Sequence, residues 1–331
     1  MKSKILIFFV VIVSLLTSCG SEDSTFVIDE SNLPDVEVNV KRYGKALFEL
    51  DTSDISVGLQ QIKPNFKYFL DSDLTDSNNI KQIYDFVSDT ALINIYKKSV
   101  EVYPYNEFLN KQLTGAFKYF KYYFPEIKLP EVYTYISGLQ YEMPVWQQDT
   151  ILVIALDVYL GNDFEPYSGL GLPQYKIKCM RPENLVVDVM KNFYHQNLSM
   201  NLRQNTLLDR MVGAGKMLYF LDRVLPETGD SLKICYTQKQ LNWAIENEKN
   251  VWAFLIQNEL LYSTDYQSQT KLISDAPFTT GFSRQSPSRL GVWIGWQIVG
   301  DFMKNNPKVT LNDLFEISDS QLLLHDSGYK P

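Results

Sequence analysis

His195 and His325 are the only imidazoles in the 331-residue chain, and that scarcity bounds its chemistry. A zinc-peptidase helix needs two histidines one turn apart, with a glutamate beside the first as base. His195 and His325 lie far apart and cannot supply that pair. His195 sits near the end of a helical pattern, where the helix dipole favours a cation, and reads as a capping group. Gly213-Ala214-Gly215-Lys216 looks like a fragment of a phosphate loop. The full pattern needs Gly where Arg210 stands and Ser or Thr where Met217 stands, so the reading fails. Asp71-Ser72-Asp73 begins like a calcium loop, but Asp76 and Gln82 replace its glycine and its closing glutamate. That stretch reads as a helix cap and loop. Asp157, Asp163 and Glu165 cluster at a strand exit, yet 39 acidic residues guarantee close pairs by chance. Nothing selects one pair for glycoside hydrolysis. Gly291 and Gly295, one turn apart and beside Trp293 and Trp296, fit a ligand groove floored by backbone or a close helix crossing. Packing is the favoured reading.

Cysteine chemistry is more specific. Met1-Lys2-Ser3-Lys4 precedes an apolar run from Ile5 to Leu16, then Leu16-Thr17-Ser18-Cys19. The run is too short for a comfortable bilayer span and suits the hydrophobic region of a secretory signal. Leu16 to Cys19 resembles the lipobox of bacterial lipoproteins, whose cysteine is acylated and becomes the mature first residue. Residues 1–18 are therefore expected to be a removable signal and 19–35 a lipidated flexible tether. Acyl chains on Cys19 would hold the protein on membrane lipid without a spanning helix. Cys179 and Cys235 would then lie in an oxidising compartment where a disulfide is permitted. Two free buried thiols are the alternative, and spacing alone does not decide between them.

Around these residues the composition describes a folded body. Hydrophobic residues make up 45% of the chain and aromatic residues 14%, enough for a sizeable core. A net charge of -8 argues against a nucleic-acid partner, which requires clustered Lys and Arg. The apolar stretch from Leu290 to Gly300, between Arg289 and Asp301, is too short to span a bilayer and reads as a core helix.

The periodicity predicts an α+β class, mainly helical with a small β-sheet, and a single globular domain over 36–331. Val36 to Val40 alternates like a short strand; helical patterns fill the region to about 125. Phe117 to Phe124 reads as a buried helical face with two lysines pointing out. In the remainder, about 130–331, Val132 to Ile136 and Ile151 to Leu156 read as neighbouring strands, and Gly161 to Pro173 as a long loop. Helices are expected over Glu183 to Asn197 after Pro182, and over Leu202 to Leu225 before Pro226. Further helices are expected at Gln238 to Glu248, Val251 to Tyr262, Ser288 to Lys304 and Ser318 to His325.

The order of several segments resembles the gliding-motility lipoprotein GldB family of the Bacteroidetes. The carrying residues include Val40-Lys41-Arg42-Tyr43, Leu207-Leu208-Asp209-Arg210-Met211, Gly215-Lys216-Met217-Leu218-Tyr219-Phe220-Leu221-Asp222 and Ser286-Pro287-Ser288-Arg289-Leu290-Gly291-Val292-Trp293-Ile294-Gly295-Trp296. The resemblance implies a non-enzymatic, envelope-anchored lipoprotein accessory to gliding and to type IX secretion. Its partners would be other gliding or secretion lipoproteins, and no cofactor is implied. It also implies a bacterial envelope location, with the outer membrane expected and the displayed face open. Gly20 to Asp23 resembles the surface-export signal of Bacteroidetes lipoproteins. The family looks like a distant relative of zincin metallopeptidases, which implies a scaffold lacking its metal site. Glu183 to Asn197 would stand in place of the zinc helix, without paired histidines. A residual hydrolase would then use a degenerate cleft around Asp188, His195 and Asp209, whereas a glycan-binding lipoprotein would expose Trp146 and Tyr141.

Overall fold

The structure, a computed structural model, describes residues 28–199 and 205–331. Cys19 and the signal lie outside the described residues. The chain is α+β and mainly helical, with one four-stranded mixed sheet among the described residues.

A two-residue strand, β1 (Lys41–Arg42), leads into helices α1 (Tyr43–Phe48), α2 (Ile55–Ile62), α3 (Ser77–Ser88), α4 (Thr90–Val102) and α5 (Glu107–Tyr123). Aspartates start two of these helices. Asp76 accepts from the Asn78 amide and Asp89 from those of Ala91 and Leu92, filling donors that a helix start leaves free. Asp73 likewise binds the amide and hydroxyl of Thr75, so the calcium-like stretch is a cap and loop. Val36 to Val40 is not a strand. Its backbone is held by side chains of α5 and of the residue before it: Thr114 accepts from the Val38 amide, Asn110 from the Val40 amide, and Asn106 donates to the Val40 carbonyl. Side-chain partners thus replace the ladder that the alternation suggested.

Strands β2 (Glu131–Tyr135), β3 (Val145–Gln148) and β4 (Ile151–Ala155) complete the sheet in the order β1-β2-β4-β3. β1, β2 and β4 run parallel, and β3 is an antiparallel edge strand paired with β4 from Val145↔Ile154 to Gln148↔Ile151. The stretch expected to be one long loop, Gly161 to Pro173, holds a short helix, α6 (Glu165–Gly169), and a second, α7 (Gln174–Ile177), follows directly after it.

The helices that follow are α8 (Pro182–Asn197), α9 (Leu207–Val224), α10 (Asp230–Lys233), α11 (Gln238–Glu246), α12 (Glu248–Gln257), α13 (Tyr266–Ile273), α14 (Leu290–Asn305), α15 (Leu311–Glu316) and α16 (Ser320–Ser327). Pro182 opens α8, and a reciprocal capping box of Thr206 with Asp209 opens α9. Thr237 with Gln240 and Thr310 with Asp313 do the same for α11 and α15. α14 begins after Arg289 rather than at Ser288, because Arg289 takes a left-handed backbone with φ 59°. No helix among the described residues is long and apolar enough to cross a membrane.

Two apolar clusters cover the two faces of the sheet. The smaller joins Tyr43, Leu47, Leu59, Phe66 and Leu70 to Tyr133 and Val153. The larger joins Val132, Leu152 and Ile154 to the buried faces of α5, α8, α9 and α14. Phe117, Phe120 and Phe124 are buried in it, while Lys121 turns out to bind the carbonyls of Pro125 and Ile127. α9 and α14 cross at Gly215 and Gly295, so close that a Cβ on either would strike the partner's backbone. Gly215 and Gly295 therefore serve close packing, as does Gly291, set against Leu272 and Ile273 of α13. Cys179 and Cys235 form a disulfide with Cα atoms 6.0 Å apart, fastening the end of α7 to the turn after α10.

Candidate functional site

α8 buries half of its residues, yet along its length it carries polar residues at four-residue spacing: Asn184, which is buried, and Asp188 and Asn192, which are half-buried. Such spacing places them on one face. Leu185, Val186, Val187, Val189, Met190 and Phe193 cover the rest of the helix with apolar contacts. The polar line must find partners inside the protein, since an unpaired buried polar group is costly.

Each of its members reaches a different element. Asn184 donates to the Leu232 carbonyl of α10 at 3.2 Å. Asp188 accepts from the Tyr159 hydroxyl at 3.1 Å and pairs with Lys191 at 3.2 Å. Asn192 donates to the Val145 carbonyl of β3 at 3.2 Å. Tyr159 is itself braced, its carbonyl accepting from the Tyr103 hydroxyl at 2.8 Å. Burial, followed by the neighbouring Asp188 charge, pushes the Tyr159 hydroxyl well above the usual tyrosine range, so it acts as a donor. Two acceptors at the seam of β3 and α8, the side-chain oxygens of Gln147 and Asn192, are buried without a protein partner.

The three residues expected to form a degenerate cleft do different things. Asp188 belongs to the brace. His195 is exposed at the far end of α8, with the Tyr194 ring 5.5 Å away. Partial desolvation of its ring, then the charge of Lys191, lowers its pKa. Asp209 caps α9, accepting the Thr206 amide at 3.0 Å. None of the three shares a hydrogen bond or ion pair with another among the described residues. No group of three or more His, Cys, Asp or Glu side chains is placed to hold a metal ion among the described residues. Chemically, the α8 face offers a carboxylate neutralised by an ammonium, a tyrosine donor and two amides.

Tyr159, Lys191, Asn192 and Gln147 did not emerge from the search for motifs. The signal that could have found part of the set is the Asn184, Asp188, Asn192 repeat in an otherwise apolar helix. Of the two aromatic residues a glycan site would expose, Trp146 is 41% exposed, while Tyr141 is partly buried with the Lys176 ammonium 5.7 Å from its ring centre.

Fold and site together define a mainly helical α+β protein whose central polar helix ties its own sheet and helices together. A family model described as gliding motility protein GldB matches residues 23–331. The chain belongs to this family, and with it to the gliding-motility lipoproteins of the cell envelope. No curated protein and no solved structure matches it.

Proposed function

We propose that this chain is a non-enzymatic lipoprotein, anchored through acylated Cys19 to the outer membrane, that holds components of the gliding and type IX secretion machinery. The observation that carries the reading is the use of the α8 polar face. Asn184, Asp188 and Asn192 each bind a different neighbouring element, so the groups that could have served a reaction instead lock α8 to α10, Tyr159 and β3. Exposed rings, among them Tyr105, Tyr262 and Tyr266, supply surface suited to protein contacts. The body outside 1–35 acts in this reading as one globular unit.

A zincin-like scaffold without its metal site extends the proposal. α8 lies against the antiparallel edge strand β3 and is followed by α9, and it would stand where the metal helix of a peptidase stands. Val186-Val187-Asp188-Val189-Met190-Lys191 then replaces a metal-binding sequence with a bracing one.

The test is gentle crosslinking and affinity capture from gliding cells, comparing the lipidated protein with Cys19→Ala. The reading expects gliding or secretion components to be recovered with the lipidated form alone. Recovery of none from a folded, abundant protein would overturn it.

A further inference from the structure

A groove of about 370 Å³ opens where α1 and α3 meet the carboxyl end of β2. That lies at the small end of the range for ligand sites, roughly 300–1,000 Å³. Leu47, Phe48, Ile83, Phe86 and Ile136 make its wall apolar, with the rings of Tyr43 and Tyr135 beside them. Among the described residues, those lining it include no Lys, Arg, Asp or Glu. Its remaining polar groups are the uncharged side chains of Gln82, Ser137 and Gln140, and both glutamines are exposed at the mouth.

Two of the wall rings already have a face taken. Phe48 stacks on Tyr96 with ring centres 4.9 Å apart, and Tyr43 on Phe69 at 4.2 Å. The groove thus offers the branched aliphatic side chains of Leu47, Ile83 and Ile136 beside rings already stacked on one face, a lining that suits a flexible apolar chain.

The mouth is held rigid from below. Asp157, fully buried and without a cation among its partners, accepts the amides of Ser137 at 2.9 Å and Leu139 at 2.7 Å. It also accepts the Ser137 hydroxyl at 2.9 Å, and the Ser137 oxygen in turn accepts the Gln140 amide at 2.9 Å. Gly138 and Leu139 between them are left-handed, with φ of 74° and 66°, a conformation unfavourable for a branched side chain such as Leu139. A buried carboxylate and a strained residue together fix the two positions, Ser137 and Gln140, that present uncharged hydrogen-bonding groups at the rim.

We propose that this groove binds a neutral single-chain amphiphile, its tail along Leu47, Ile83 and Ile136 and its uncharged head at Ser137 and Gln140. The inference does not rest on the motility reading.

Calorimetric titration tests it. The mature chain carrying Cys19→Ala, which has no acyl chain of its own, is titrated with monodecanoylglycerol below the concentration at which that lipid aggregates. Saturable binding of one molecule per chain is expected. Ile83→Trp, which fills the groove, should weaken it by roughly tenfold or more, and decanoate should bind roughly tenfold more weakly than the glyceride because no cation meets its carboxylate. Gln140→Ala, on the exposed rim where folding is not at stake, should weaken binding by about threefold. Ile256→Trp, at an exposed position on α12, should bind like the parent. No saturable heat would overturn the proposal, and so would equal affinity for decanoate. Full affinity in folded Ile83→Trp or in Gln140→Ala would overturn it as well.

Discussion

Gly215 of α9 and Gly295 of α14 meet backbone to backbone: a Cβ on Gly215 would lie against the Gly295 carbonyl, and one on Gly295 against the Met211 carbonyl. These atoms are main chain and have no rotamer with which to yield. The contact sits inside the larger core, where α9 and α14 bury Leu218, Leu221, Ile294 and Ile298.

Alanine at either glycine should therefore be destabilising. Alanine favours a helix over glycine by about 1 kcal/mol. Overpacking a filled core costs about 1–3 kcal/mol and occasionally more, and a clash with rigid backbone falls at the upper end. The clash prevails, so Gly215→Ala and Gly295→Ala should each lose about 2 kcal/mol net in urea denaturation. Gly115, whose added Cβ would meet nothing within 4 Å, is the control, and Gly115→Ala should be neutral or slightly stabilising.

The disulfide makes a second prediction. Cys179 and Cys235 are 56 residues apart, and closing a loop of that length restricts the unfolded chain by about 4 kcal/mol in the loop-entropy account. Reduction, or Cys179→Ala with Cys235→Ala, should lower the denaturation midpoint accordingly while leaving the far-ultraviolet spectrum unchanged. An unchanged midpoint would show that the crosslink does not restrain the fold.

Asp222 should give the stability a pH dependence. Its carboxylate binds the Lys233 ammonium at 2.8 Å and the Trp296 indole N–H at 2.7 Å. Burial nevertheless pushes its pKa up to about 6, above the usual carboxylate value, with Lys233 pulling it back only in part. A raised acid pKa means that the folded state holds the proton more tightly than the unfolded state. The stabilisation is complete below the unfolded value and is lost as pH rises through about 6. Unfolding free energies taken near pH 5 and near pH 7.5 should show the parent losing more stability over that interval than Asp222→Asn does.

Much of the fold was legible because local signals agreed with tertiary ones. Pro182 starts α8, and the β-rich runs around Val132 and Ile151 pair as neighbouring strands. β3 escaped notice because Val145-Trp146-Gln147-Gln148 has little apolar alternation, and its pairing is supplied by β4. Val36 to Val40 misled in the opposite sense, since alternation records which side chains are buried and not what bonds the backbone. For the site, no motif in the sequence singled out the groups that the fold brings together at α8. The polar repeat on α8 was visible, but its partners Tyr159, Leu232 and Val145 come from three other segments. The pairing of Cys179 with Cys235 likewise depends on where α7 and α10 are placed by the helices between them.

The central claim is that the protein works from its membrane anchor and not through a reaction at α8. The measurement is colony spreading by cells in which the chromosomal copy is replaced by Cys19→Ala, or by Asp188→Asn combined with His195→Gln, with protein levels matched by immunoblot. The account predicts that the Cys19 variant fails to spread and that the α8 double variant spreads like the parent. Normal spreading without the lipidated cysteine, or its loss in a folded and abundant α8 variant, would contradict it.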